Sequence, residues 1–228
     1  MLRPSPTPRP SPAARPGGAA PALTLASLLA DHAFLRLAWS NFGAVIPGRL
    51  YRANHPTPRR LARLVRRYGI RTVINLRGEA ANASNPLSVA TATALGVDHV
   101  FLAFESRGAP EASRILRFHE VYRTMRLPAL VHCKAGADRA GFAAGLAVLF
   151  EGGTAAEALA QLSLRFLHFR DSRSGILDAF FRRYAAEAEG RISFLEWVAR
   201  EYDAEALRRD FVPGGLASFV NDRLLRRE

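Results

Sequence analysis

Leu61, Leu64, Val65 and Tyr68 recur at i, i+3, i+4 and i+7, the spacing of one helix face. Thr57-Pro58 supplies the start of that helix, threonine as N-cap and proline in the first turn, and Gly69 supplies its end. Arg59, Arg60, Arg63, Arg66 and Arg67 fill much of the remaining circumference, either as a solvated face or as a face for an anionic partner. Around this helix the pattern changes to short apolar runs. Residues 48–52 read as a short strand, the β-branched run 72–76 as a buried one, and 99–104 and 129–132 as two more. Residues 86–95 form a short predicted helix. Pro110 opens a longer one with Ile115, Phe118, Val121, Tyr122 and Met125 inward, and Pro128 stops it. After residue 140 the chain reads as helical. Residues 141–150 are apolar enough for a buried helix, and Thr154-x-x-Glu157 and Ser193-x-x-Glu196 have the form of capping boxes. The aromatic stripe over 176–184 belongs to the core.

Strands alternating with helices predict an α/β fold: a central, mainly parallel β-sheet flanked by α-helices, with extra helices at the C-terminal end. In such sheets ligands bind beyond the carboxyl ends of the strands. Three loops leave those ends: Arg77-Gly78-Glu79, Glu105-Ser106-Arg107-Gly108, and the stretch from Cys133 to Arg139. Parallel strands place all three on one rim and gather arginines and carboxylates around Cys133.

Composition adds limits. The 228 residues, 49% hydrophobic and 23% charged, suit one domain with tails. The expected division is a Pro/Arg-rich tail at 1–22, a main domain at 23–205 and a helical extension at 206–228. The net charge of +12 favours anionic partners such as phosphate esters or acidic lipid headgroups. A single lysine among the 32 basic residues shows an arginine bias that accounts for part of this charge. One cysteine excludes an intrachain disulfide and a multi-cysteine zinc site, and fits a reducing compartment, so a cytoplasmic location is expected. The basic start followed by the short apolar run at 22–30 keeps export open as the alternative.

The chemistry concentrates in Val131-His132-Cys133-Lys134-Ala135-Gly136-Ala137-Asp138-Arg139-Ala140-Gly141, a strand end, a glycine-bearing loop, an arginine and a helix start. Cleaving a phosphate ester needs a nucleophile, stabilisation of charge on three oxygens, and a proton for the leaving group. Cys133 at a helix N-terminus is placed to be a thiolate nucleophile. Backbone N–H groups of Lys134, Ala135, Gly136, Ala137 and Asp138 are placed to bind the oxygens, and Arg139 to grip two of them at once. His132 is a candidate support for the cysteine, and Arg77 a rim residue. His168, Arg170 and Arg173 are assigned to a loop between helices that shapes substrate choice.

This segment resembles the Cys-x5-Arg signature of the protein-tyrosine-phosphatase superfamily, closest to its atypical bacterial dual-specificity-like members. The resemblance extends over roughly residues 31–205 through Pro47-Gly48-Arg49-Leu50-Tyr51-Arg52, His55-Pro56 and the run 69–79. It implies a phosphatase-like fold, a phosphocysteine intermediate at Cys133, phosphate binding by Arg139 and the loop, and neither metal nor other cofactor. The implied partner is a phosphorylated protein or a phosphoinositide, the latter because phosphoinositide phosphatases carry a basic residue where Lys134 stands. Peripheral contact with an anionic membrane is a further expectation, and nucleic acid is not expected. Two departures stand out. Ala140 replaces the Ser or Thr that usually follows the signature arginine, which predicts slow breakdown of the phosphoenzyme. Ser106 stands where tyrosine phosphatases place the Asp general acid. That role falls to Asp138, whose distance from the phosphate the loop fixes, or to Glu105 beside the vacated position. The alternative function is a phospho-ligand binding module without turnover. A rhodanese-type sulfurtransferase and an arginine-helix nucleic-acid binder are remoter readings.

Overall fold

In the computed structural model, which describes residues 40–79 and 84–214, five strands form one sheet. The strands are β1 (Gly43–Ile46), β2 (Leu50–Asn54), β3 (Thr72–Asn75), β4 (Asp98–Phe101) and β5 (Ala129–Cys133). Their spatial order is β1-β2-β5-β3-β4. Only β1 runs antiparallel, as the hairpin partner of β2; the β2–β5, β5–β3 and β3–β4 pairs are parallel. The helices are α1 (Pro58–Tyr68), α2 (Ser84–Ala94), α3 (Ala112–Thr124), α4 (Asp138–Phe150), α5 (Ala155–Ala160), α6 (Ile176–Glu187), α7 (Phe194–Arg200) and α8 (Ala204–Asp210). The tail at 1–22, the apolar run at 22–30 and the end of the extension beyond 214 lie outside the described residues. Helix α8 crosses the division expected at 205/206 and buries Leu207 in the common core.

Local chemistry accounts for the elements. Thr57 caps α1 by accepting from the Arg60 N–H, and Gly69 closes it in the left-handed region. Thr154 and Glu157 form a reciprocal capping box at α5. Alternation along the strands divides the core in two. Leu50, Ile74, Val131 and Cys133 face α3, α4 and α6, while Tyr51, Ala53, Val73 and Leu130 face α1 and α2. On the larger side Phe142, Phe180, Trp197 and Tyr202 pack as an aromatic cluster, with the Phe180 and Trp197 ring centroids 5.4 Å apart. The Tyr202 hydroxyl donates to the Pro110 carbonyl at 2.8 Å, tying the C-terminal helices to the loop after β4.

Three differences from the sequence reading have physical causes. Strand β1 has no counterpart in that reading; four residues without alternation carry no periodic signal. Strand β4 stops at Phe101 rather than 104, because the chain turns at Gly78 (φ +72°) and crosses close to Ala103. Helix α4 begins at Asp138 rather than at 141, so the last loop residues are already its first turn.

Candidate active site

Strand β5 delivers Cys133 to the carboxyl edge of the sheet, only 3% exposed, beside Asn54 at the end of β2. The loop that follows has all four of its peptide carbonyls engaged on its outer side. The Lys134 carbonyl accepts from the His55 N–H at 3.3 Å, and that of Ala135 from Asn41 Nδ2 at 2.9 Å. The Gly136 and Ala137 carbonyls both accept from Arg52 Nη2, at 2.8 and 3.0 Å. In a trans peptide the N–H points opposite to the C=O, so pinning the carbonyls outward turns the following N–H groups inward. One of them, Gly136 N–H, donates to Cys133 Sγ at 3.2 Å. Among the described residues no side chain caps α4, whose first N–H groups point back along its axis toward the same place. The result is a concave set of donors around a sulfur, a geometry that binds anions. Gly136 is required for it: φ is +76°, and a Cβ there would sit 2.6 Å from the Asn54 nitrogen.

Arg52 and Asn41 are the residues that sequence reasoning missed. Arg52 is fully buried in β2, with its guanidinium 3.8 Å from the Phe166 ring centroid and Nη1 donating to the Gln161 carbonyl at 2.5 Å. Burial pushes its pKa down to about 10, while Cys133 and Asp138 nearby favour its charge. It therefore remains a cation at neutral pH, within the field of the sulfur. Gly141 leaves it room, since a Cβ there would come within 3.0 Å of Nη2. In a chain with so many arginines it stood out only as the last residue of the Pro47–Arg52 run, with no role of its own. Asn41, at φ 46°, also donates to the Phe166 carbonyl and lies outside every predicted element.

Asp138 and Arg139 occupy the first turn of α4, Asp138 buried and Arg139 half-buried. Asp138 Oδ1 lies 2.8 Å from His168 Nδ1, and His168 Nε2 lies 2.5 Å from Asp178 Oδ2 on α6. Burial opposes a charge on His168, but the hydrogen bonds to Asp138 and Asp178 outweigh it and lift the imidazole to about 8. His168 is therefore no surface loop residue: two carboxylates hold it in the interior, whereas Arg170 and Arg173 are exposed.

The other acid candidate, Glu105, pairs through Oε1 with Arg114 Nη1 at 2.7 Å, and its buried Oε2 has no hydrogen-bond partner among the described residues. The three loops do share one rim, since β3, β4 and β5 are parallel. Arg77 is anchored there: its N–H donates to Asn75 Oδ1 at 3.0 Å, and its Nη1 lies 3.3 Å from His55 Nδ1. His132 alternates to the opposite sheet face from Cys133, with its ring centroid 4.5 Å from that of His55. Lys134 is half-buried, and Ala140 is fully buried.

A sheet of this order, carrying a cysteine, five residues and an arginine on a donor-lined loop, defines the protein-tyrosine-phosphatase class. The family model described as "DSP-PTPase phosphatase fused to NAD+ Kinase" matches residues 46–163, more than half of the chain. The chain belongs to this family of atypical dual-specificity phosphatases. Among solved structures it is similar to a DUF442 protein of Shewanella putrefaciens CN-32, a candidate phosphatase, at 20% identity and TM-score 0.51, covering 68% of this chain and 97% of that one. It is also similar to TpbA of P. aeruginosa, at 20% identity and TM-score 0.50, covering 75% of this chain and 95% of that one. At this identity the two likenesses speak for the fold. No curated protein matches the sequence.

Proposed function

We propose that this chain hydrolyses phosphate monoesters through a phosphocysteine at Cys133. The observation that carries the reading is the pinning of all four loop carbonyls, which turns the following N–H groups away from those partners and sets the Gly136 N–H 3.2 Å from Sγ. Cys133 attacks phosphorus as thiolate, and the sulfur–phosphorus bond forms as the ester oxygen leaves. The loop N–H groups and Arg139 stabilise the charge on the equatorial oxygens, and water then releases phosphate from sulfur. Asp138 is the preferred proton donor to the leaving oxygen, since it stands in the first turn of α4 directly before Arg139, where the loop fixes its distance from a bound phosphate.

The proposed substrates are phosphorylated tyrosine, serine or threonine in proteins, or phosphoinositides. The half-buried Lys134 beside the nucleophile and the exposed Arg59, Arg63, Arg66 and Arg67 on α1 favour polyanionic or membrane-borne substrates. A thiolate nucleophile fits a reducing compartment, for which we propose the cytoplasm. The test is hydrolysis of an aryl phosphate without added metal by wild type and Cys133→Ser. Turnover confined to the wild type and blocked by vanadate supports the reading. Ala140 favours a second reading, a phospho-ligand binding module: its buried methyl supplies no hydroxyl to help release phosphate from sulfur. Phosphate binding without turnover would select it.

A further inference from the structure

Three ionisable side chains from three segments meet in the interior: Asp138 on α4, His168 on the irregular stretch before α6, and Asp178 on α6. His168 and Asp178 are 2% and 1% exposed, and among the described residues Asp178 Oδ1 has no hydrogen-bond partner, so this carboxylate bonds through Oδ2 to the imidazole. Burying three such groups is costly, and a well-packed apolar trio would serve stability as well or better. Their arrangement has a different use. A carboxyl of ordinary acidity, near 3.9, is protonated in roughly one molecule in a thousand at pH 7, too few for an efficient proton donor. The bond between Asp138 and His168 instead sets a proton held on the imidazole 2.8 Å behind that carboxylate.

We propose, resting on the phosphatase reading, that Asp138, His168 and Asp178 act as one proton-holding chain, in which His168 keeps behind Asp138 the proton that Asp138 delivers to the departing oxygen. The proton passes from His168 Nδ1 to the Asp138 carboxylate and from there to the leaving oxygen as the P–O bond breaks, with its electron pair staying on that oxygen. In the second step water adds to phosphorus and the S–P electron pair returns to sulfur. The proton of the water returns through Asp138 to Nδ1. His168 is thus a positioning residue: it never touches substrate, and Asp178 holds its Nε2–H and stabilises its charge. The groups acting on the imidazole are Asp138 from α4 and Asp178 from α6; from β2, Arg52 faces Asp138 and Cys133. Because the imidazole is lifted to about 8, the store is filled at neutral pH and emptied above it.

The experiment compares kcat against pH on phenyl phosphate, whose leaving group needs a proton, for wild type and Asp178→Asn. The His168 ring is titrated by 15N NMR in both proteins. In wild type the alkaline limb of kcat and the ring titration coincide near 8. The amide of the variant still accepts from Nε2–H but carries no charge, so both shift down together by roughly a unit or more. A limb that stays put while the ring titration moves overturns the proposal, as does a wild-type limb that fails to track the ring, a comparison that needs no variant. A merely structural role lowers activity by the same factor at every pH. If wild type shows no Cys133-dependent hydrolysis at all, the phosphatase reading falls and this proposal falls with it. An active enzyme with an unmoved limb sinks the proposal alone.

Discussion

Replacing Arg52 with methionine removes the one side chain that holds two successive loop carbonyls. Methionine keeps much of the length and apolar bulk of the side chain over Phe166 but donates nothing. The Gly136 and Gln161 carbonyls lose their Arg52 donor, whereas the Ala137 carbonyl keeps the Gly141 N–H at 2.8 Å. Two buried acceptors left without partners cost about 2–6 kcal/mol together, reduced by relief of the desolvated guanidinium, so a net loss of about 2–3 kcal/mol is expected. For a chain of this size that lowers Tm by about 4–12 °C. Catalysis should suffer more. Without its pin the 136–137 peptide is free to rotate, exchanging an inward N–H for a carbonyl, and loss of one such donor costs about 100- to 1000-fold in kcat. The assay is kcat on an aryl phosphate beside Tm by calorimetry, with Arg52→Lys as a second variant that keeps charge but not the forked geometry. An Arg52→Met enzyme that loses stability yet keeps kcat within about threefold would refute the claim that the pinned carbonyls make the site.

Three other outcomes are expected. Ala140→Thr restores a hydroxyl next to the signature arginine and should speed the second step, seen as a smaller pre-steady-state burst relative to steady-state turnover. Gly136→Ala forces a Cβ against Asn54 at positive φ; urea denaturation should show a loss of about 2 kcal/mol or more, with activity falling alongside. Stability should also depend on His168. Its imidazole titrates near 8 when folded and near 6.5 when unfolded, so its contribution, about 2 kcal/mol, is complete below about 6.5 and is lost as pH rises through about 8. His168→Asn should flatten ΔG of unfolding over that window, and an unchanged slope would count against the buried charge.

The fold was legible wherever local rules bind strongly. Thr57-Pro58 to Gly69 gave α1 to within a residue, and the β-branched run gave β3. Cys133, Gly136 and Arg139 stood out because their spacing is itself a chemical device. What stayed hidden depends on the third dimension. Arg52 looks like any other arginine until β2 sets it beneath the loop. His168 reads as a loop residue until α6 brings Asp178 to its far side. Asp138 was legible as a carboxylate in the loop, but its bond to a histidine thirty residues away was not. Strand β1 was missed because four residues in a hairpin carry too little pattern to separate from a turn.

The account rests on sulfur chemistry at Cys133, and the most direct measurement is a rapid-quench reaction with an aryl phosphate followed by mass spectrometry of the intact chain. The account predicts a burst of phenol matched by a single phosphate on Cys133, chased off by further incubation and absent in Cys133→Ser. Hydrolysis that persists in Cys133→Ser, or steady turnover in wild type with phosphate never found on sulfur, would contradict it.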